Sequence, residues 1–216
     1  SDVPLCTFLS GGLDSSIITK FASDYCQENG LPPLDTYSID YVDNDKNFVK
    51  SDFQPNSDNY YINLIQNSLN TNHHNILIDT PELADYLEDA MIARDTPGMA
   101  DIDSSLLLFT KYVKPHATVA LTGECADEIF GGYPWFFRSD ALNSDTFPWS
   151  IAIQERQHLL NPKIAEKVDL HDYINFRYHE SLSDVEILDT DSKETAEKRK
   201  ISHLTLNWFM QTLLDR

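Results

Sequence analysis

The chain has 216 residues, of which 41% are hydrophobic, and a formal net charge of −19. This length and apolar content suffice for one large domain, or one and a half. The acidic charge repels a polyphosphate backbone, and no apolar run approaches the roughly 18 residues of a membrane span. We therefore expect neither a nucleic-acid partner nor a membrane partner.

The cysteine pattern indicates the redox setting of the protein. Cys6, Cys26 and Cys125 form an odd set without metal-ligand spacing, and the N-terminus lacks the charged-then-apolar pattern of a signal peptide. Cys6 falls in a predicted strand and Cys26 in a predicted helix, which is typical of small buried side chains. A reducing, cytoplasmic localisation is expected.

Strand and helix patterns alternate from the start of the chain. An apolar strand is predicted at residues 3–9, a helix at 16–27 and a second strand at 35–41. The helical spacing of the first helix rests on its apolar residues, which are Ile17, Ile18, Phe21, Ala22 and Tyr25.

The pattern continues through a second helix and a third strand. A polar loop is predicted at 42–57, a helix at 58–69 and a strand at 74–78. The inner side of this helix is assigned to Tyr60, Tyr61, Leu64, Ile65 and Leu69. The next helix is predicted to start with the Thr80 hydroxyl as its cap and Pro81 in its first turn.

A further helix at 103–113 and a fourth strand at 118–122 complete the alternation. Strands and helices alternating at these intervals predict an α/β fold, a parallel doubly wound sheet with helices on both faces. Ligands of such sheets bind at the carboxyl ends of the strands.

The character of the chain changes after Gly132. No strand is predicted beyond it, while helices are predicted at 159–176 and 194–214. We therefore expect an α/β domain at residues 1–132 and a C-terminal helical subdomain at 133–216.

A glycine-rich segment, SGGLDSS, lies between the first strand and the first helix. Its candidate ligand residues are Ser10, Gly11, Gly12, Asp14, Ser15 and Ser16. Backbone N–H groups at a helix N-terminus, glycines and hydroxyls together favour a phosphate. The Gly-Lys-Ser/Thr ending of the Walker loop is missing, so the pattern suits pyrophosphate, with Asp14 placed to hold Mg²⁺. The alternative is an ordinary capped helix start, which the full seven-residue string disfavours.

A second motif, LTGECADEIFGGY, follows the fourth predicted strand. Its carboxylates Glu124, Asp127 and Glu128 are close in sequence and repel one another, which favours a shared cation. If the turn places Asp127 opposite Asp14, the two would bridge Mg²⁺ to phosphates. A solvated acidic helix start is the alternative.

The glycine segment resembles the signature loop of the ATP-pyrophosphatase (PP-loop) superfamily. Together with the second motif, residues 36–40, the His73-His74 pair and the Asp95-Thr96-Pro97 region, it resembles the synthetase domain of the asparagine synthase (glutamine-hydrolysing) family. The resemblance implies an adenine nucleotide alpha-hydrolase-like fold. It also implies an ATP-dependent ligase that converts aspartate and ammonia to asparagine through β-aspartyl-AMP, with release of AMP and pyrophosphate.

The resemblance carries roles to individual residues. The pyrophosphate would bind to the glycine segment, and Asp14 and Asp127 would hold Mg²⁺. The main chains of Phe8 and Ile39 would contact adenosine, and Glu124 would assist the attack of ammonia. Thr122 and Gly123 would contact the nucleotide.

The chain also departs from the family pattern. The family places a glutaminase domain with a nucleophilic cysteine ahead of this one, whereas residue 1 here is serine. We therefore expect no glutamine hydrolysis from this chain, an N-terminal glutaminase partner domain in the full-length protein, and weak activity for a truncated ligase. An arginine common in the family before the fourth strand is replaced by Ala100.

Other functions remain open at this stage. On the same scaffold, β-lactam synthetases and lasso-peptide cyclases use an internal amine in place of ammonia. A non-catalytic nucleotide-binding module is the alternative from a different class, with Tyr133, Trp135, Phe136 and Phe137 as its partner surface. Aromatics that follow a glycine pair are more often subdomain core, which is the favoured interpretation. The net charge disfavours a tRNA-modifying enzyme. A homodimer is a further expectation.

Overall fold

A computed structural model describes residues 2–50, 56–96 and 98–215 of the protein. Ser1, residues 51–55 of the predicted loop, Pro97 of the family-like segment and Arg216 lie outside the described residues. The chain forms two compact units, the first ending at Glu124 and the second beginning at Cys125. The functional domain limits expected above, 1–132 and 133–216, stay predictions.

The first unit is built on a parallel β-sheet. Its strands among the described residues are β1 (Leu5–Phe8), β2 (Leu34–Tyr41), β3 (Thr71–Ile78) and β4 (Val119–Leu121). They lie in the order β3-β2-β1-β4, and every neighbouring pair runs parallel. The predicted α/β fold with a parallel sheet is therefore confirmed.

Helices connect these strands. They are α1 (Leu13–Glu28), α2 (Asn44–Asn47), α3 (Asp58–Ser68), α4 (Thr80–Asp85), α5 (Leu87–Arg94) and α6 (Ala100–Val113). The short helix α2 lies in the region predicted as loop. The prediction of a capping Thr80 hydroxyl is wrong, because Thr80 is already the first helical residue and Asp79 stands at the N-cap without a side-chain cap bond. Pro81 lies in the first turn, as predicted.

The two faces of the sheet differ in chemistry. Successive strand residues point to opposite faces, so the neighbours Cys6 and Thr7 separate. Cys6 belongs to an apolar cluster with Phe109 and Val113 of α6. Thr7 shares a buried hydrogen bond of 3.0 Å with Thr19 of α1. Helices therefore cover both faces, as in a doubly wound sheet.

The face under α1 is lined by hydroxyl groups, which decides how this helix packs. Thr7, Thr36 and Ser38 are buried there, and α1 presents Ser15, Thr19 and Ser23 to them. Because small side chains fill this interface, three of the five apolar residues that define the helical spacing are exposed: Ile17 at 44%, Phe21 at 71% and Tyr25 at 60%. Ile18 and Ala22 are half-buried.

The inner side predicted for α3 is wrong for three of its five residues, whereas Ile65 and Leu69 are half-buried. Its buried residue is Ile62, at 4% exposure, whereas Tyr60, Tyr61 and Leu64 are exposed. The physical reason is that apolar residues occur on more than one side of this short helix, so their spacing does not single out one buried side. The tertiary contacts of α3 bury the side that carries Ile62.

The strand order creates a switch point. From β1 the chain moves outward to β2 and β3, and then returns to place β4 on the other side of β1. The order therefore reverses between β1 and β4, and open α/β sheets bind ligands in the crevice outside the carboxyl ends of the strands at this point.

The second unit is helical, with no strand among its described residues 125–215. Its helices are α7 (Ala126–Phe130), α8 (Ser139–Leu142), α9 (Ile153–Gln157), α10 (Pro162–Ala165), α11 (Leu170–Leu182), α12 (Lys193–Leu204) and α13 (Met210–Leu214). A π-helical turn, Thr205–Phe209, joins α12 to α13, so the helix predicted at 194–214 is confirmed. The helix predicted at 159–176 is wrong as a single element, because Asp169 caps a new helix by accepting the Asp172 N–H at 3.0 Å.

Aromatic residues form the core of the second unit. Trp135 and Phe136 pack with Ile201, which supports the subdomain-core interpretation of these aromatic residues, while Phe137 is exposed. Among the described residues, we find no helix with the length and apolar character needed to cross a membrane.

The hydroxyl-lined face also holds His73. Its Nδ1 lies 2.8 Å from Thr36 Oγ1 and its Nε2 lies 3.0 Å from Ser38 Oγ. Burial, and then the neighbouring His74, lower the pKa of His73 from its ordinary value of 6.5. The folded protein therefore favours the neutral imidazole.

We predict that the free energy of unfolding falls as the pH decreases below 6.5, the ordinary His pKa. The unfolded chain takes up a proton at His73 in a range where the folded chain resists it, so stability is present above this pKa and is lost below it. His73→Gln should flatten this dependence. Urea unfolding between pH 8 and 5 measures it.

The matched control is His116→Gln, at an exposed histidine of the same unit. This variant should keep the pH dependence of the native chain. Equal pH profiles for His73→Gln and the native protein would contradict the role given to His73.

Candidate active site

The glycine segment forms the turn between β1 and α1. Leu9 N–H donates to Tyr37 O at 2.8 Å, and the chain then turns into α1 with Gly12 at the N-cap. The first hydrogen bond of the helix runs from Ser16 N–H to Gly12 O at 3.1 Å. The N–H groups of residues 13–15 precede the helical ladder, so they are the groups that such a helix end aims at an anion.

The serine hydroxyls hold this turn together. Ser15 is buried, and its Oγ accepts Ser10 N–H at 3.2 Å and lies 2.9 Å from Ser10 Oγ. Ser16 Oγ donates to Gly12 O at 2.6 Å. Since these hydroxyls bind within the turn, the main-chain N–H groups are its best-placed donors to a ligand.

Gly11 lies directly against helix α3. Its φ is +81°, and a Cβ added there would lie 3.0 Å from Asp58 O, from Ile62 N and from Tyr61 Cβ. Any side chain at this position would therefore meet the backbone of α3. The requirement for glycine at Gly11 is both conformational and steric.

Gly123 brings the two sequence motifs together. A Cβ on Gly123 would lie 2.8 Å from Ser15 N and 3.1 Å from Asp14 Cβ. The segment after β4 thus crosses the first turn of α1 at main-chain contact distance. Within the first unit, the two motifs therefore meet at the switch point of the sheet. Both contribute residues that are predicted to bind the nucleotide.

The residues beside Gly123 form a short turn. Thr122 Oγ1 accepts the Glu124 N–H at 3.2 Å. Thr122 is half-buried, whereas Glu124 is exposed and presents its carboxylate at the surface of the first unit.

Phe8 and Ile39 lie near the carboxyl ends of β1 and β2. Phe8 is the last residue of β1 and packs its ring against Phe109, with centroids 4.6 Å apart. The pairing of β1 with β2 ends at Phe8 and Tyr37, so the edge of β2 that faces β1 continues past it toward Ile39. Backbone groups of successive strand residues point to opposite edges of the strand. The N–H and C=O of Ile39 therefore point to the same edge as those of Tyr37, which is the edge that faces β1.

In the second unit, a tight turn fixes Asp127. Cys125 has a φ of +68°, which is unusual for a residue with a side chain, and stands at the N-cap of α7. Gly131 ends the helix at a φ of +72°. A Cβ on Gly132 would meet Asp127 Oδ1 at 1.9 Å, so glycine is required for the Asp127 carboxylate to lie where it does. The sequence pattern alone does not reveal this role of Gly132.

Glu128 is not part of a carboxylate cluster. It is 2% exposed, and its Oε1 accepts the Tyr133 hydroxyl at 2.7 Å. The prediction that Glu124, Asp127 and Glu128 share one cation is therefore wrong for Glu128, because burial and Tyr133 engage that carboxylate. Among the described residues, no group of three or more His, Cys, Asp and Glu side chains is arranged to hold a metal.

The remaining residues singled out in the sequence make contacts elsewhere in the first unit. His73 binds the hydroxyl face, and His74 Nε2 lies 2.9 Å from Asp35 Oδ1. Ala100 has a φ of +41° at the start of α6. The nearby Arg94 forms an ion pair with Asp103 at 3.1 Å.

The chain is similar to proteins of known family. The family described as Asparagine synthase matches residues 1–216. Asparagine synthetase (glutamine-hydrolyzing) 3 of Bacillus subtilis (strain 168) is 47% identical over 216 residues, which is 100% of this chain and 35% of that protein. Asparagine synthetase B (glutamine-hydrolyzing) of Escherichia coli (strain K12) is 30% identical over 152 residues, covering 64% of this chain and 25% of that protein.

A relative with a different name also matches. Amidase chyE of Penicillium rubens is 30% identical over 156 residues, which is 69% of this chain and 22% of that protein. The chain therefore spans 22% to 35% of the length of these curated relatives.

We predict that Gly11→Ala abolishes binding of inorganic pyrophosphate and destabilises the protein more than Gly30→Ala. Both glycines have positive φ, which costs an alanine about 1–2 kcal/mol. Only Gly11 is crowded by backbone, because a Cβ on Gly30 would meet nothing within 4 Å. Urea unfolding and isothermal titration with pyrophosphate measure the two effects. Equal losses and equal pyrophosphate binding in the two variants would refute the crowding argument.

Proposed function

Since the chain belongs to the asparagine synthase family, we propose that it is the amide-forming part of an ATP-dependent asparagine synthetase. A β-carboxylate oxygen of aspartate attacks the α-phosphorus of ATP, and pyrophosphate leaves. The nitrogen of ammonia then attacks the β-carbonyl of the aspartyl-AMP, AMP leaves with the bonding electrons, and asparagine forms.

The observation that carries the proposal is the contact of Gly123 with the first turn of α1. Motifs at the ends of β1 and β4 meet where an open α/β sheet binds its ligand. The N–H groups of residues 13–15 would bind the pyrophosphate, and the α1 dipole would favour its charge. Ser10, Gly11 and Gly12 form the turn that lets phosphate approach the main chain.

Main-chain groups would bind the rest of the nucleotide. Phe8 is the last residue of β1, and Ile39 lies where β2 extends beyond its pairing with β1. Their main-chain groups would contact adenosine at these strand ends. Thr122 and Gly123, which lie beside α1, would contact the nucleotide from the β4 side.

Asp14 and Asp127 are the residues that would hold Mg²⁺. Carboxylate oxygens together with substrate phosphates are the ligands this ion prefers, and Asp127 is exposed. When bound there, the ion would neutralise part of the triphosphate charge. Asp14 belongs to the glycine turn, and Asp127 is held by the Gly131-Gly132 turn of the second unit.

Glu124 would act on the nitrogen substrate. Ammonium must lose a proton before its nitrogen is nucleophilic, and a carboxylate can accept that proton. Glu124 is exposed next to the nucleotide turn, where it could position ammonia against the activated carbonyl.

The whole protein would supply the ammonia. The B. subtilis and E. coli relatives are named as glutamine-hydrolyzing enzymes and are about three to four times as long as the matched segment. We propose that the intact protein carries an N-terminal glutaminase domain and acts in the cytoplasm. A homodimer is part of the same proposal.

We predict that Asp14→Asn and Asp127→Asn each reduce pyrophosphate release by the full-length protein at least about 100-fold, because each removes a Mg²⁺ ligand. The assay contains aspartate, ATP, Mg²⁺ and ammonia. Asp45→Asn, at an exposed position of α2, is the control and should retain activity. Unfolding of either site variant would instead indicate a structural role, and native activity in both would refute the metal assignment.

Glu124→Gln should separate the two half-reactions. We expect aspartate-dependent exchange of pyrophosphate into ATP to continue, while asparagine formation from ammonia falls by about 10²- to 10⁴-fold. Quantifying asparagine alongside the exchange rate distinguishes the steps. If both rates remain native, Glu124 has no role in ammonia attack; if exchange is lost, it acts earlier.

A further inference from the structure

We propose that Asp40 is a positioning residue for the nucleotide site, because its carboxylate fixes helix α3 against the glycine turn. The inference deepens the proposed function and rests on it. Asp40 would not touch the nucleotide; it acts through Asn59 and Gly11.

The Asp40 carboxylate joins three segments of the chain. It lies near the end of β2 and is half-buried. Oδ1 accepts Tyr41 N–H at 2.8 Å and Asn44 Nδ2–H at 2.7 Å. Oδ2 accepts a short hydrogen bond from Asn59 Nδ2–H. Both carboxylate oxygens are therefore used, and together they tie the end of β2 to α2 and to the first turn of α3.

Gly11 contacts the first turn of α3, whose backbone forms one wall of the space around this glycine. Asn59 follows Asp58, whose carbonyl oxygen would lie 3.0 Å from a Cβ on Gly11. Ile62 N and Tyr61 Cβ complete this wall at the same distance. The bond from Asp40 to Asn59 thus acts on the same helical turn that contacts the glycine segment.

Contact with α3 determines how far the glycine turn between β1 and α1 can move. Gly11 has a positive φ and many accessible conformations, and α3 limits them by direct contact. A binding site loses affinity when its supporting residues allow displacements above roughly 0.5 Å. If α3 moves outward, the N–H groups of the glycine turn lose their common direction, and the phosphates bind less tightly.

The location of Asp40 fits this role. Asp40 follows Ile39, whose backbone N–H and C=O point to the β1 side of β2 and would contact adenosine. The Asp40 side chain meanwhile bonds Asn59 and so holds the segment that connects β2 to α3. A role confined to stabilising the loop would change the melting temperature and leave ATP affinity unaltered.

The test measures ATP–Mg²⁺ affinity, KM for ATP and kcat in the full-length protein. Asp40→Asn replaces one acceptor by a donor, so it cannot serve both Asn59 and the two donors at Oδ1. We expect the dissociation constant and KM for ATP to rise about tenfold, the effect of losing one charge-assisted hydrogen bond, with kcat within about twofold of native. Asn59→Ala should produce the same change without introducing a repelling group.

The double variant Asp40→Asn/Asn59→Asp exchanges donor and acceptor and should recover most of the ATP affinity. Asp43→Asn is the matched control, because the Asp43 carboxylate pairs with Lys46 at 2.6 Å on the surface of the same connection. It should bind ATP like the native protein.

The outcomes distinguish the two proposals. Native ATP affinity in Asp40→Asn and Asn59→Ala would overturn the positioning role and leave the proposed function standing. A lower melting temperature with unchanged ATP affinity, or failure of the exchange variant to recover, would overturn it as well. Absence of ATP binding by the native protein would overturn both.

Discussion

The close approach of main chains at the switch point of the sheet is the constraint on which this site depends. Gly11 rests on the backbone of α3, and Gly123 crosses the first turn of α1 beside Ser15 N. A methyl group at either position would meet backbone atoms, which have no side-chain freedom with which to move away. The site is thus made from peptide groups, and side chains are absent where they would separate the strand ends from the helices.

The hydroxyl-lined face of the sheet sets the position of α1. Thr7 and Thr19 meet through a 3.0 Å hydrogen bond, and Ser15 and Ser23 are buried on the same side of the helix. Small side chains allow the helix to lie close to the sheet, so its N-terminus reaches the end of β1 through a turn of few residues. This packing uses hydrogen bonds in place of a broad apolar contact, because each buried hydroxyl needs a partner. The apolar cluster around Cys6 and Phe109 stabilises the opposite face.

The carboxylates of the second motif separate by environment. Glu124 is exposed, Asp127 rests on the α-carbon of Gly132, and Glu128 is buried against the Tyr133 hydroxyl. Tyr133 also stacks on Trp135, with ring centroids 4.2 Å apart. The turn that presents Asp127 is therefore anchored in the aromatic core of the second unit. Neighbouring acidic residues thus lie in different environments, with Glu128 buried and Glu124 and Asp127 exposed.

By itself the sequence determined the α/β alternation, the strand positions and the glycine turn, because strand periodicity, helix periodicity and turn residues are local properties. It did not determine which sides of α1 and α3 are buried. Apolar spacing shows that a helix has an apolar side, but the hydroxyl face of the sheet selected Thr19 on α1, and the contacts of α3 selected Ile62. The separation of Glu128 from its acidic neighbours and the bond from Asp40 to Asn59 were likewise decided by tertiary structure. The Glu128 bond forms across a turn, and the Asp40 bond joins residues that are distant in sequence. Only the packed chain brings such pairs within hydrogen-bond distance.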